Sequence, residues 1–151
     1  MKRELADGIT IRFGAVDEAP RLALIARRAG VPIDAEIIDA FAAAGRVFVA
    51  QDLVGDVPIG LAAVGELDGI LAVESLCVLP DWRCRGIGSA LLTSIEEYGR
   101  WAFFGQALIV PRTAPAAEFL FRRGWLTIDS GRMPPDVARI GNGNAVLTRR
   151  L

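Results

Sequence analysis

Histidine is absent from this sequence, and that gap closes several routes at once. Without imidazole there is no Ser-His-Asp or Cys-His catalysis and no histidine-ligated metal. Lysine occurs once, as Lys2 in what reads as a loose terminus, which argues against a Schiff-base lysine or a phosphate-loop lysine. There are two cysteines, Cys77 and Cys84, and their spacing is not that of a CxxC pair. With no metal partners and no secretory context, they point to a reducing compartment. The opening MKRELADGIT lacks the apolar stretch of a signal peptide, and the longest apolar runs fall short of a membrane span. A cytoplasmic protein with no membrane partner is expected. The net charge of −1 argues against a dedicated nucleic-acid binder, while leaving room for a local basic patch.

What is present suits one ordinary domain. The 151 residues are 52% apolar, enough to bury a core without disulfide or metal staples. Every basic residue except Lys2 is arginine, a side chain built for fixed recognition of phosphate or carboxylate rather than for proton transfer. The β-rich run 8–13 predicts a first strand. Asp17 is placed to cap a helix through about Ala29, and Asp34 a second helix ended by Gly45. Residues 46–52, 57–67 and 70–78 read as three strands of an antiparallel meander, with turn signals at Gly55-Asp56 and Asp68-Gly69. A long amphipathic helix follows to about Phe104, then a buried strand 106–111. A helix over 113–123 has Pro115 in its first turn and Gly124 at its end. The strand WLTID, a loop-rich stretch with a short helix near 136–140, and a final strand AVLTRRL complete the chain.

The stretch RCRGIGS (83–89) joins a strand to the long helix. A helix N-terminus presents unpaired N–H groups and a partial positive charge, and glycines let an anion come close to the backbone. Arg83 and Arg85 add donors. The pattern therefore suits a phosphate or pyrophosphate cradle; the plainer alternative is a tight turn with solvated arginines. It is neither GxGxxG, since position 91 is leucine, nor a GK[ST] phosphate loop.

Taken together, VESLCVLPDWRCRGIGSALL resembles the acetyl-CoA-binding core of the Gcn5-related N-acetyltransferases (GNAT). The family signature, Arg or Gln, two residues, Gly, one residue, then Gly or Ala, is matched by Arg83, Gly86 and Gly88 after Val78-Leu79-Pro80. Downstream, ALIVP followed by AAEFLFRRGW is similar to a second family segment. The resemblance implies one acyl-CoA N-acyltransferase domain over 1–151, of mixed α/β class, with a largely antiparallel twisted sheet of about 6–7 strands flanked by about four helices. It implies acetyl-CoA as acyl donor, no metal, and an unidentified primary amine as acceptor. Backbone N–H groups from Arg83, Cys84, Arg85, Gly86, Ile87, Gly88 and Ser89 would hold the coenzyme A pyrophosphate. Leu76, Cys77 and Val78 would pair with the pantetheine arm as an added strand, with Thr113 near it. The family strand carrying those three residues bulges and splays from the next one. AVLTRRL is a candidate edge for a homodimer.

Direct acyl transfer requires that the amine lose a proton before attack. Glu74 is the candidate base: a carboxylate in an otherwise apolar strand, four residues before Val78 and on the same face. The alternative is a solvated or salt-bridged edge-strand glutamate; Glu66, Asp68 and Asp129 are the other carboxylates to consider. Where the family often places a tyrosine that protonates the leaving thiolate, this chain has Leu120, and its sole tyrosine, Tyr98, has the helical phase of a core residue. Arg122 and Arg123 are either ligands of the adenosine 3′-phosphate or solvated. The acceptor would meet the first two helices, with Phe41, Asp34, Glu36 and Asp39, and the loops near Met133-Pro134-Pro135. Two rival readings stay open: a non-catalytic acyl-CoA-binding module, suggested by Leu120, and a different phosphate-ligand domain.

Overall fold

A computed structural model describes residues 2–5 and 8–151, without the side chains of Lys2, Arg3 and Ser130. The strands are β1 (Lys2–Leu5), β2 (Ile9–Phe13), β3 (Val47–Asp52), β4 (Val57–Leu67), β5 (Ile70–Val78), β6 (Gln106–Ile109), β7 (Leu126–Thr127) and β8 (Leu147–Arg150). The α-helices are α1 (Ala19–Arg28), α2 (Ala35–Ala43), α3 (Ile87–Trp101), α4 (Ala114–Arg122) and α5 (Pro135–Gly141). Contacts divide the chain into two compact units, 1–65 with 74–97 and 66–73 with 98–151. The hydrogen-bonded order is β1-β2-β3-β4-β5 and then β5-β6-β8-β7, so β5 contributes to both units. The pairs β1–β2, β2–β3, β3–β4, β6–β8 and β7–β8 are antiparallel, and β5–β6 is parallel. This is the mixed, largely antiparallel class expected, with eight strands rather than six or seven and five α-helices rather than four among the described residues.

In the first unit, Leu22, Ile25, Ala26 and Ala29 of α1 and Ile38 and Ala42 of α2 pack on Val47, Val49, Leu61, Ala63 and Cys77 of the sheet. Burying each large aliphatic side chain contributes roughly 1.5–3 kcal/mol. β3 reads as four consecutive buried residues, Val47–Ala50, because it lies inside the sheet with both faces covered. The predicted helix start at Asp17 is corrected: a 3-10 turn spans Val16–Glu18 and α1 begins at Ala19. Glu18 does the terminal work, accepting from the Ala15 N–H at 2.9 Å and from both Arg12 amino nitrogens at 2.7 Å. The loose N-terminus is also corrected. Lys2–Leu5 forms an antiparallel edge strand on β2, and its charged composition hides the two-residue alternation that announces a strand.

In the second unit, Ala72, Leu108, Val137 and Val146 form a core joined by Leu67, Ile70, Val110, Ile128 and Met133. The β5–β6 register pairs Leu71–Val73 with Ala107–Ile109. Thr113 caps α4 by accepting from the Ala116 N–H at 3.2 Å, and Gly124 leaves the helix with φ +89°. The expected strand WLTID shortens to Leu126–Thr127: the Trp125 N–H donates back to the Leu120 carbonyl of α4 at 3.0 Å, and Asp129 caps the turn Ser130–Arg132.

Candidate active site

The glycine loop leaves β5 through a 3-10 turn, Pro80–Trp82, whose start is fixed by Leu79 N–H donating to the Ile59 carbonyl at 2.8 Å. Cys84 (φ +62°) and Gly86 (φ +79°) are both left-handed, with Arg85 between them. Alternating handedness of this kind turns successive N–H groups to one side, the geometry of an anion nest. Ala90 N–H donates to the Gly86 carbonyl at 3.0 Å and closes the first turn of α3. The N–H groups of Ile87, Gly88 and Ser89 precede that bond and have no intrahelical acceptor. A side chain on Gly86 would project into open space, so the positive φ, not crowding, requires glycine there. Ile87, Leu91, Leu92 and Ile95 hold the helix by full burial.

Arg83 has a different task from the one its place in the signature suggests. Its Nε donates to the Val78 carbonyl at 3.1 Å and its amino group to the Ala29 carbonyl at 2.9 Å. Its own N–H is committed to Pro80 at 3.3 Å. Arg83 therefore straps the loop to the end of β5 and to the C-cap of α1, and the nest begins at Cys84. Arg85 lies over the Trp82 ring at 4.8 Å, a cation–π contact that steadies an exposed cation beside the nest.

β5 departs from regular alternation. Cys77 belongs to the core under α1 and α2. The Glu74 side chain meets Gly65, on the β4 face that also carries Leu61 and Ala63 in that core. Residues three apart cannot share a face in a regular strand, so β5 bulges between Glu74 and Cys77. Val78 lies against Gly60, on the opposite face of β4. The expectation that Glu74 and Val78 share a face is thus corrected; the extra residue of the bulge reverses it. Gly60 has a matching role: a Cβ there would stand 2.8 Å from the Cys77 carbonyl oxygen, so only glycine lets β5 approach.

Burial pushes the Cys77 thiol up to about 11, which keeps it a neutral core residue. Burial also raises the Glu74 carboxyl above the ordinary glutamate range, although much of the side chain surface still meets solvent. Leu76 and Val78 are half-buried. In the second unit, Leu120 is a core residue at 2% exposure, and half-buried Tyr98 packs against Trp101 with ring centroids 6.2 Å apart. Thr113 spends its oxygen as a helix cap, and Asp129 accepts from the Gly131 N–H at 3.0 Å. Sequence reasoning missed the strap of Arg83 and the parts played by Gly60, Gly65 and Phe41. Isolated glycines inside a strand pattern were the available signal for two of these.

Among the described residues, no group of three or more His, Cys, Asp or Glu is placed to hold a metal ion, and no helix is long and apolar enough to cross a membrane. No curated protein matches the sequence. In solved structures, the chain is similar to an N-acetylglutamate synthase from Neisseria gonorrhoeae complexed with coenzyme A and N-acetyl-glutamate: TM-score 0.80, 19% identity, 99% of this chain and 36% of that one. The chain thus spans about a third of that protein. It is also similar to a GNAT-family acetyltransferase from Staphylococcus aureus Mu50, with TM-score 0.79, 17% identity, and coverage of 95% and 99%. A PaiA N-acetyltransferase from Thermoplasma acidophilum in complex with coenzyme A gives TM-score 0.74, 12% identity, and coverage of 95% and 99%. At such identities the likeness is one of fold. The family model for the acetyltransferase (GNAT) domain matches residues 43–125, more than half of the chain and including the nest, β5 and α4. The chain belongs to the GNAT acetyltransferase family.

Proposed function

We propose that this chain is an N-acetyltransferase, one acyltransferase domain over 1–151 that moves an acetyl group from acetyl-CoA to a primary amine by direct attack. The observation that carries the reading is the nest of Cys84 to Ser89 at the start of α3, directly after a bulged strand bearing Glu74. The coenzyme A complexes of the N-acetylglutamate synthase and PaiA relatives support the choice of donor.

In this reading the N–H groups of Cys84, Arg85, Gly86, Ile87, Gly88 and Ser89 hold the pyrophosphate, and Arg83 holds the loop. Backbone groups of Leu76, Cys77 and Val78 pair with the pantetheine arm. The Val78 carbonyl already accepts from Arg83, which leaves Leu76 as the more open partner. Thr113 keeps its hydroxyl proton to donate to the donor molecule. Glu74 takes a proton from the ammonium form of the acceptor, giving a neutral amine and a protonated carboxyl. The amine adds to the thioester carbonyl, the tetrahedral intermediate collapses with cleavage of the carbon–sulfur bond, and the proton shed by the attacking nitrogen passes by way of solvent to the departing thiolate, leaving the amide and free coenzyme A. A raised carboxyl suits this role, since a base works best with its pKa near the working pH.

The buried Leu120 favours one second reading, an acyl-CoA-binding module without turnover, because no acid stands at that position to protonate the thiolate. Thiol release from acetyl-CoA across a broad panel of primary amines separates the two. Amine-dependent release supports the transferase; tight acetyl-CoA binding with none across the panel supports the binding module.

A further inference from the structure

Glycine inside a strand sacrifices packing and order, so one kept at ordinary backbone angles marks a close approach by something else. Gly65 is such a residue in β4. A methyl group placed on it would stand 3.2 Å from Phe41 Cε1 and 3.4 Å from Glu74 Oε1, with Glu74 Cγ at 3.7 Å. The aromatic ring of α2 and the carboxylate of β5 therefore converge on one bare spot of the sheet. Phe41 is itself anchored, half-buried against the core under α1 and α2. Among the described residues, no hydrogen bond or ion pair holds the Glu74 carboxylate. Packing is what remains to orient it.

Burial alone raises the Glu74 carboxyl, with no charged group contributing. The carboxylates of α2, Glu36 and Asp39, and that of Glu66 near the end of β4 all lie at exposed positions. On β5 the nearby titratable group is Cys77, a neutral thiol.

We infer that Gly65 and Phe41 are positioning residues for Glu74: the bare glycine lets ring and carboxylate settle together on β4, and the ring holds the carboxylate in one partly dry orientation. This rests on Glu74 being the proton acceptor of the proposed transferase. Its consequence is that the strength of the base depends on a side chain 33 positions away in the sequence.

The test follows the Glu74 side-chain carboxyl carbon through a pH titration in carbon-13-labelled protein, with the signal assigned by Glu74→Gln. Wild type, Phe41→Leu, Phe41→Ala and Gly65→Ala are compared. Phe41→Ala should bring the midpoint down toward ordinary glutamates, and Phe41→Leu, which keeps apolar bulk, should restore much of the shift. Both Phe41→Ala and Gly65→Ala should lower kcat by about tenfold or more through misplacement of the base, with the acetyl-CoA dissociation constant unchanged. An unmoved Glu74 midpoint in Phe41→Ala overturns the inference, as does a loss of acetyl-CoA affinity parallel to the loss of kcat. The titration needs no turnover, so a wild-type chain that acetylates no amine defeats the transferase reading while the midpoints still decide the positioning claim.

Discussion

Two glutamates of the first unit carry opposite shifts, and each makes a prediction. Glu18 is held below the ordinary carboxylate range by its bidentate pairing with Arg12. Its folded pKa is depressed, so the stability it contributes is present above the unfolded value and lost as pH falls through the folded one. Glu18→Gln should cost about 1 kcal/mol at neutral pH and flatten the acid limb of stability, read from urea midpoints across pH. Glu74 runs the other way. Its folded pKa is raised by burial, so its favourable contribution exists in acid and is lost as pH rises through the folded value. At neutral pH the ionised group is a liability to the fold. Glu74→Gln should therefore leave the melting temperature equal or higher while lowering turnover roughly 10²–10⁴-fold. Comparing melting and kcat at one pH checks this, and a parallel fall in both contradicts it. The acid limb of kcat/KM should likewise lie above the ordinary glutamate range. The residue types were legible in the sequence: a lone carboxylate in an apolar strand was enough to single out Glu74. Its facing was not, because one inserted residue in β5 reverses every side chain beyond it.

At the scale of elements, the nest depends on backbone shape and hence on local chemistry. Gly86→Ala puts a Cβ into open space at φ +79° and should cost about 1–2 kcal/mol of stability through strain alone. Gly86→Asp adds a negative charge facing the anion and should abolish acetyl-CoA binding by calorimetry, where the alanine variant still binds. This loop was readable from RCRGIGS because glycine placement and a helix start are short-range signals. The partners of Arg83 were not readable. One lies 5 residues back and the other 54, and only the folded chain brings the C-cap of α1 to that guanidinium. The same holds for β1, whose charged residues gain their place from pairing with β2 rather than from their own pattern.

For the molecule as a whole, the family match over 43–125 runs through parts of both units, while α1 and all of α2 but its last residue, Ala43, lie before it. Structural relatives cover nearly the entire chain at 12–19% identity. Fold likeness of this kind does not supply acceptor chemistry, which is written in side chains. The central claim is that the nest selects acetyl-CoA. A thermal-shift comparison of acetyl-CoA, ATP and NAD at equal concentration tests it on the intact chain. Acetyl-CoA at about 100 times its dissociation constant should stabilise the fold by roughly 2.7 kcal/mol and raise the melting temperature by several degrees, with ATP and NAD giving little. A shift with ATP or NAD and none with acetyl-CoA would contradict the account.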